Sequence, residues 1–188
     1  MEQREKVVPG ASGTVLEIGI GTGLNLPFYD PAKVERVIGL DPSEESWELA
    51  ARRIATVDFE VEFIGLPDGE IPLADDSVDT ILITYSLCTI PDPVAALQGM
   101  QRVLRPSGEL IFCEHGKAPD VNVCKWQDRL DGFWGKIAGG CHLNRDIPQI
   151  LAAGGFSVKG MDTMYLPSSP RFASFNYWGT ACAAEPGN

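Results

Sequence analysis

Hydrophobic and polar positions alternate along the first two thirds of the chain in blocks that predict strands and helices in turn. Five short apolar runs have the pattern of strands buried in a parallel sheet: residues 14–18, 36–41, 59–64, 78–87 and 108–115. Two longer segments, 42–54 and 92–104, carry the spacing and end signals of helices. This alternation predicts a mostly parallel sheet covered by helices, with right-handed crossovers.

The last third of the chain has a different pattern. Residues 116–148 are rich in Trp, Gly and Asp and form the longest stretch outside the alternation. A helix is predicted over 147–156, followed by two strands, 156–166 and 172–183, that suit an antiparallel pair. We therefore predict one domain over 1–188 of the α/β class. It has a Rossmann-like, mostly parallel seven-stranded sheet, helices on both faces and an antiparallel C-terminal edge.

Composition narrows the class of partner. The 188 residues are 44% hydrophobic and 22% charged, as in ordinary globular domains. Fifteen Lys and Arg against 26 Asp and Glu give a net charge of −11, which disfavours nucleic acid or an anionic membrane as the main partner. The start of the sequence has no apolar core of a signal peptide, and no apolar run is long enough to cross a membrane. We expect a cytoplasmic protein.

Cysteines and grouped aspartates are residue types that bind metals, but their spacing here does not predict a metal site. The five cysteines are an odd number without a CxxC pair, which predicts free thiols. Cys88 and Cys113 lie in apolar predicted strands and are expected to be small core residues, with the lining of a pocket as the alternative. Asp75, Asp76 and Asp79 are predicted to be turn and strand-start residues.

The segment VLEIGIGTG, residues 15–23, raises the question of a ligand. In open α/β sheets ligands bind beyond the carboxyl ends of the strands, where glycines let the backbone approach them closely. The G-x-G-x-x-G pattern of dinucleotide sites is incomplete, because Leu24 stands in place of the last glycine. Glu17 disfavours a pyrophosphate and favours a ligand with positive charge. S-adenosylmethionine carries an ammonium and a sulfonium but no phosphate, so an acid at this position is electrostatically reasonable.

Two further acids suit the rest of that ligand. Asp41 ends the second predicted strand, and a carboxylate there can accept both hydroxyl hydrogens of a ribose. Asp68 lies after the third predicted strand, where it can accept a hydrogen bond from an adenine amino group.

Four motifs in order, EIGIGTG, GLD, LADDSVD and RVLRPSGEL, resemble the class I S-adenosylmethionine-dependent methyltransferases, specifically their type-11 group. This resemblance covers about residues 14–115. The later motifs TYSLCTI, CEHGKAP and GGCHLNRDI, with the aromatic C-terminal strand, are similar to methyltransferase-like proteins that include microsomal thiol methyltransferases.

The resemblance implies a set of cofactor contacts. Glu17 and Gly19 would serve the methionine end of S-adenosylmethionine, and Asp41 would serve the ribose. Asp68 and Gly69 would serve the adenine. The other implied cofactor-binding residues are Gly21, Gly23 and Tyr85.

The chain also departs from the family pattern at its start. Members of the family normally carry an N-terminal helical segment that covers the cofactor, whereas only 13 residues precede the first predicted strand here. Either this is a shortened start or the cover comes from elsewhere, such as a partner subunit. The apolar anchor of membrane-associated relatives is also missing, so no membrane partner is expected.

The acceptor side offers two histidines as the proton acceptor. His115 ends the fifth predicted strand and so faces the ligand edge, while His142 follows Cys141 before a predicted helix. Segment 116–148 is predicted to form the acceptor wall, with Trp126, Phe133 and Trp134 as an apolar lid or as a packed cluster.

The sequence therefore predicts a methyltransferase that acts on a small molecule, either a thiol or another soft apolar nucleophile. Two alternatives remain: an NAD-binding oxidoreductase, and a catalytically silent cofactor-binding subunit. The expected partner is a small-molecule methyl acceptor, with no nucleic acid and no membrane, and homo-oligomerisation is left open. No metal is expected.

Overall fold

Seven strands form one sheet in the order β3-β2-β1-β4-β5-β7-β6. The structure is a computed structural model that describes residues 2–66 and 70–184. All neighbouring strands pair in parallel except β7, which runs antiparallel to both β5 and β6. This confirms the predicted sheet and its antiparallel edge. The strands are β1 Gly13–Ile18, β2 Val34–Leu40, β3 Glu60–Ile64, β4 Val78–Thr84, β5 Leu104–His115, β6 Phe156–Tyr165 and β7 Phe175–Ala183.

The described residues contain five α-helices, and three of them begin at a polar side chain that caps a backbone N–H group. Ser43 accepts from the N–H of Ser46 at 3.1 Å, and Asp92 and Asp146 cap their helices in the same way. The helices predicted within 42–54 and 92–104 are therefore confirmed. The helices are α1 Glu2–Val7, α2 Glu44–Ile54, α3 Pro93–Val103, α4 Val121–Ile137 and α5 Ile147–Ala153.

The helices cover both faces of the sheet, as predicted. Leu97 of α3 and Leu151 of α5 belong to one buried cluster with alternate residues of β1, β2, β4 and β5. Val7 of α1 and Trp47 of α2 pack with the opposite set of sheet residues. Alternation along β1 thus directs Leu16 to the first face and its neighbours to the second.

Three local predictions are corrected. Segment 116–148, for which no helix or strand was predicted, contains α4 over 17 of its residues. The strand expected over 78–87 ends at Thr84, because Tyr85 adopts a positive φ of 54° that extended strands do not allow. Cys88 therefore lies in a loop rather than on a strand.

The connection between β1 and β2 consists of turns followed by one short 3-10 helix, Leu26–Phe28. Among the described helices, none combines the length and apolarity that crossing a bilayer requires.

Candidate cofactor and acceptor site

The glycine loop after β1 leaves open space at one position. Gly19, Gly21 and Gly23 have φ values of +71°, +50° and +72°, a region that glycine adopts without strain. A Cβ on Gly19 would lie 2.3 Å from Oγ of Ser86, and one on Gly23 would lie 2.8 Å from Cδ1 of Leu26. A Cβ on Gly21 would meet no atom closer than 3.9 Å. The backbone at Gly21 is therefore accessible to a ligand.

Asp41 lies directly beside this opening. It follows β2, is buried, and its Oδ2 accepts a hydrogen bond from the N–H of Gly21 at 2.9 Å. Its Oδ1 accepts from the N–H of Ser43 at 2.9 Å. Each oxygen retains a second lone pair, so the carboxylate can still accept hydrogen bonds from a diol.

Glu17 is a buried acid at the carboxyl end of β1. Its side chain is 1% exposed; Oε1 accepts from Nδ2 of Asn25 at 2.9 Å and Oε2 accepts from the Tyr29 hydroxyl at 2.7 Å. Burial raises the pKa of Glu17 to about 7, and these two hydrogen bonds only partly oppose the rise. A cation beside this carboxyl would favour its charged form.

The N-terminal helix of this chain contributes a side chain to the same region. Arg4 of α1 donates to Oγ1 of Thr84 at 2.8 Å and to Oδ1 of Asn25, and its guanidinium lies 5.4 Å from the ring centroid of Tyr85. α1 itself therefore packs at the carboxyl edge next to Glu17, and the source of the cofactor's cover stays a prediction.

The remaining predicted cofactor residues are less directly placed. The Tyr85 hydroxyl donates to Oδ1 of Asn176 on β7 at 2.8 Å, so it is directed away from the glycine loop, and its cofactor role stays a prediction. Asp68 and Gly69 lie outside the described residues.

On the acceptor side, three side chains from separate elements come together. His115 ends β5, Cys88 lies in the loop after β4, and Cys141 lies in the loop after α4. Nε2 of His115 is 3.1 Å from Sγ of Cys141. Hydrogen bonding from the Cys88 thiol, and then from His115, lowers the pKa of Cys141, while the same contact raises the pKa of Cys88. Burial opposes a charged His115, but its contact with Cys141 outweighs this, and the pKa of His115 is raised.

The second predicted histidine has a different partner. Nδ1 of His142 is 2.8 Å from Oδ2 of Asp131 on α4, and Oδ1 of Asp131 accepts from the N–H of Leu143 at 2.7 Å. A carboxylate at Nδ1 favours the tautomer with a lone pair on Nε2. The backbone N–H of His142 donates to the carbonyl of Cys88 at 2.9 Å, so both histidines belong to the same edge of the sheet.

The aromatic residues of α4 divide between exposure and packing. Trp126 is 55% exposed and Phe133 is 65% exposed, so neither belongs to a packed cluster. Trp134 does pack, with its ring edge-on to Phe172 at a centroid distance of 6.0 Å. The packed-cluster alternative therefore holds for Trp134 alone, and the lid role of Trp126 and Phe133 stays a prediction.

The aspartates and Cys113 have the structural roles expected of them. Asp75 pairs with Arg102 at 2.6 Å, and Oδ2 of Asp79 accepts from the N–H of Thr14 at 2.9 Å. Cys113 is buried on β5.

Sequence reasoning missed the polar residues that support the site. Asn25 and Tyr29 fix the Glu17 carboxyl, and a buried acid could have signalled that such donors must follow nearby. Glu114 is fully buried, and its Oε1 accepts from the N–H groups of Ser86 and Leu87 at 2.7 and 3.1 Å. Nothing in the sequence around Glu114 gave such a signal, because it lies near the end of an otherwise apolar strand, directly before His115.

These residues fit S-adenosylmethionine. The open space at Gly21 admits a ligand against the backbone, Asp41 has free acceptor capacity for the ribose, and Glu17 suits the positively charged methionine end. A pyrophosphate would meet two carboxyl groups in the same place, which disfavours the NAD alternative.

Comparison with known proteins agrees with this fit. The family described as methyltransferase domain matches residues 16–112. The human thiol S-methyltransferase TMT1B is 35% identical over 177 residues, covering 88% of this chain and 71% of the relative. Human TMT1A is 30% identical over 178 residues, covering 92% and 72%. The chain spans as little as 55% of the length of the rat TMT1B, so it corresponds to part of such relatives.

A solved structure of a methyltransferase from Methanosarcina mazei shares the fold. Its TM-score is 0.72 at 18% identity, and the match covers 91% of this chain and 92% of the other. The fold, the cofactor-edge geometry and the family match agree with one another. This chain belongs to the methyltransferase domain family, and its cofactor edge fits S-adenosylmethionine.

Proposed function

We propose that this chain methylates the sulfur of a small apolar thiol. The observation that carries the proposal is the extent of the likeness to human TMT1B, named as a thiol S-methyltransferase. It covers 88% of the chain and so reaches far beyond residues 16–112, which hold the cofactor edge. The remainder includes α4 and the loop of Cys141 and His142, on the acceptor side.

Exposed apolar side chains on the helix beside Cys141 support an apolar substrate. The N–H of Gly140 donates to the carbonyl of Gly135 at 2.8 Å, and the carbonyl oxygen of Cys141 lies 3.7 Å from where a Cβ on Gly135 would be. The C-terminal half of α4 therefore flanks the cysteine. Phe133 and Ile137 in this half are exposed and large, which favours an apolar acceptor over a charged one. The net charge of −11 supports the absence of a nucleic acid substrate.

His142 is the better of the two histidines as the proton acceptor. Its Nδ1 is held by Asp131, which leaves Nε2 free, whereas Nε2 of His115 is engaged with Cys141. A free thiol has a pKa near about 8.5, so an imidazole is basic enough to take its proton. When bound, the cofactor supplies a methyl group on a sulfonium; the thiol sulfur bonds to that carbon, the old carbon–sulfur bond breaks, and the thiol proton goes to the base.

Paired acceptors test the proposal. Purified protein is given S-adenosylmethionine with small aromatic and aliphatic thiols, and with alcohols, phenols and amines of the same carbon skeleton. We expect S-adenosylhomocysteine and a methyl thioether, identified by mass, from the thiols only. Turnover confined to the oxygen or nitrogen compounds would refute sulfur as the acceptor. Binding of S-adenosylhomocysteine without turnover on any compound would favour the silent subunit instead.

Two variants test the role of His142. His142→Gln removes the base, and Asp131→Asn presents an amide N–H to Nδ1, which favours the wrong tautomer. Both should lower thiol turnover by about 10²-fold or more and leave S-adenosylhomocysteine affinity unchanged. Lys136→Gln, on the same helix, is the control. Normal turnover by His142→Gln would exclude the base while leaving sulfur methylation intact.

A further inference from the structure

Three soft ligand atoms converge beside the cofactor edge. Sγ of Cys88, Nε2 of His115 and Sγ of Cys141 all lie within 4.8 Å of one another. They come from the loop after β4, the end of β5 and the loop after α4, so only the tertiary fold brings them together. Cysteines 113, 124 and 182 are not part of this group.

The spacing is close to that of a tetrahedral zinc site. With bonds of about 2.3 Å to sulfur and about 2.0 Å to nitrogen, tetrahedral angles place two sulfurs about 3.8 Å apart, and a sulfur and a nitrogen about 3.5 Å apart. Sγ of Cys141 and Nε2 of His115 are 3.1 Å apart in this structure, and no two of the three ligand atoms are more than 4.8 Å apart. Side-chain rotations that move each ligand atom by less than about 1 Å would therefore bring the three atoms to coordination distance.

The loops that carry the ligands are tied to one another. Glu114 accepts from the N–H groups of Ser86 and Leu87, which fixes the loop of Cys88 against β5. The carbonyl of Cys88 accepts from the N–H of His142, which joins the loop of Cys141 to it. Such cross-links make a metal site preorganised and limit the cost of assembling its ligands.

We propose that Cys88, His115 and Cys141 bind one zinc ion. Two thiolates and one imidazole favour Zn²⁺ over Mg²⁺, Ca²⁺ or Mn²⁺, which prefer oxygen ligands. Two thiolates also neutralise the charge of the ion. Three protein ligands leave a fourth position open, which is the arrangement of catalytic zinc sites, whereas structural sites have four.

The open position identifies the role of the metal, and this step rests on the proposed thiol methylation. The acceptor thiol replaces a zinc-bound water, a Zn–S bond forms, and the thiol proton passes to His142 or to water. The ion keeps the acceptor as a thiolate, since zinc lowers the pKa of a bound acid. The site is next to the glycine loop, because Ser86 lies in the same loop as Cys88. The Ser86 hydroxyl donates to the carbonyl of Ile18 at 3.1 Å, and its oxygen would lie 2.3 Å from a Cβ on Gly19.

Metal binding is measured without S-adenosylmethionine and without acceptor. Reduced protein is stripped with a chelator and titrated with Zn²⁺ against a chromophoric competitor, and Co²⁺ is used as a spectroscopic probe. We expect one zinc per chain and a cobalt spectrum with thiolate charge-transfer absorption. Cys141→Ser and His115→Gln should each weaken zinc binding by more than about 100-fold, because even the loss of an outer-shell contact costs 10–100-fold. Cys182→Ser, a cysteine outside the cluster, should bind normally.

Several results would overturn the zinc site. The first is less than one zinc bound per chain, and the second is equal zinc affinity in the Cys141→Ser and Cys182→Ser variants. The third is protein with a Cys88–Cys141 disulfide that binds no zinc after the disulfide is reduced. Cys88→Ser could unfold because the residue is buried, so circular dichroism accompanies it and Cys141→Ser carries the decision. Stoichiometric zinc without thiol turnover would leave the site and remove the thiol proposal. Thiol turnover by zinc-free protein would leave the thiol proposal and remove the proposed role of zinc in it.

Discussion

Cofactor binding should release a proton from Glu17. This carboxyl is 1% exposed, and burial raises its pKa to about 7, so it is about half protonated at neutral pH in the free protein. The ammonium and sulfonium of S-adenosylmethionine favour the ionised carboxylate, which lowers its pKa in the complex. The binding reaction and the ionisation of Glu17 are therefore linked.

The magnitude follows from the pKa. With a free-protein pKa of about 7 and an ionised group in the complex, binding releases about 0.9 proton at about pH 6 and about 0.1 proton at about pH 8. The affinity for S-adenosylmethionine should accordingly rise roughly tenfold between those two pH values. That change equals about 1.4 kcal/mol.

Titration calorimetry in buffers of different ionisation enthalpy counts the protons directly. Glu17→Gln keeps an acceptor for Asn25 and can donate to the hydroxyl oxygen of Tyr29, so the fold should persist while the pH dependence disappears. Glu35→Gln, an exposed acid on β2, is the control and should retain it. Equal proton release by wild type and Glu17→Gln would refute the linkage.

The same group affects the stability of the free protein with a defined sign. The folded pKa of Glu17 lies above its usual value of 4.5, so the folded state binds more protons between about pH 4.5 and about pH 7. Stability should therefore fall as the pH rises through that window, by up to about 3 kcal/mol from this group. Glu114 is also fully buried with a pKa raised to about 7, so denaturant unfolding must be compared between wild type and Glu17→Gln.

Three further predictions concern neighbouring residues. Asp41→Ala should weaken S-adenosylhomocysteine binding by about 2–3 kcal/mol in calorimetry, because two charge-assisted hydrogen bonds to the ribose are lost; unchanged affinity in a folded variant would remove Asp41 from the site. Gly19→Ala and Gly21→Ala share the penalty of a positive φ, but only the first meets Ser86, at 2.3 Å. Thermal unfolding should show Gly19→Ala as the less stable, while Gly21→Ala mainly loses cofactor affinity; the opposite order would contradict the open space. Tyr85→Phe should cost about 1 kcal/mol in denaturant unfolding, since its hydroxyl bond at 2.8 Å is lost, and leave cofactor affinity unchanged; a clear loss of affinity would favour its predicted cofactor role.

The sheet could be predicted because buried parallel strands leave a strong local signal. The apolar runs around Leu16 and Ile81, and the cap at Ser43, are each readable within a few residues. The helix α4 could not be predicted in this way. Gln127 is its one fully buried side chain among those described, so the apolar periodicity that marks an amphipathic helix is weak.

One part of the candidate site could likewise be predicted from local sequence patterns, and the other part depends on tertiary packing. Glu17 and Asp41 were predictable because both end adjacent parallel strands, whose carboxyl ends must meet at one edge. The convergence of Cys88, His115 and Cys141 has no local signal, since each residue lies on a different element and their spacing matches no metal motif. The packing of α4 and the hydrogen bond from the N–H of His142 to the carbonyl of Cys88 together bring Cys141 to the other two.

Gln127 shows how α4 is held in that position. Its Nε2 shares its two hydrogens among the carbonyls of Gly116, Leu143 and Phe172 at 2.9, 2.9 and 3.1 Å, and its Oε1 accepts from the N–H of Ala118 at 2.9 Å. One buried amide thus joins α4 to the end of β5, to the loop after α4 and to the segment before β7. The predicted acceptor wall depends on these few bonds, whereas Glu17 and Asp41 are placed by the sheet itself. Because the two supports are separate, we expect substitutions on the exposed apolar face of α4 to leave the predicted cofactor-binding residues undisturbed.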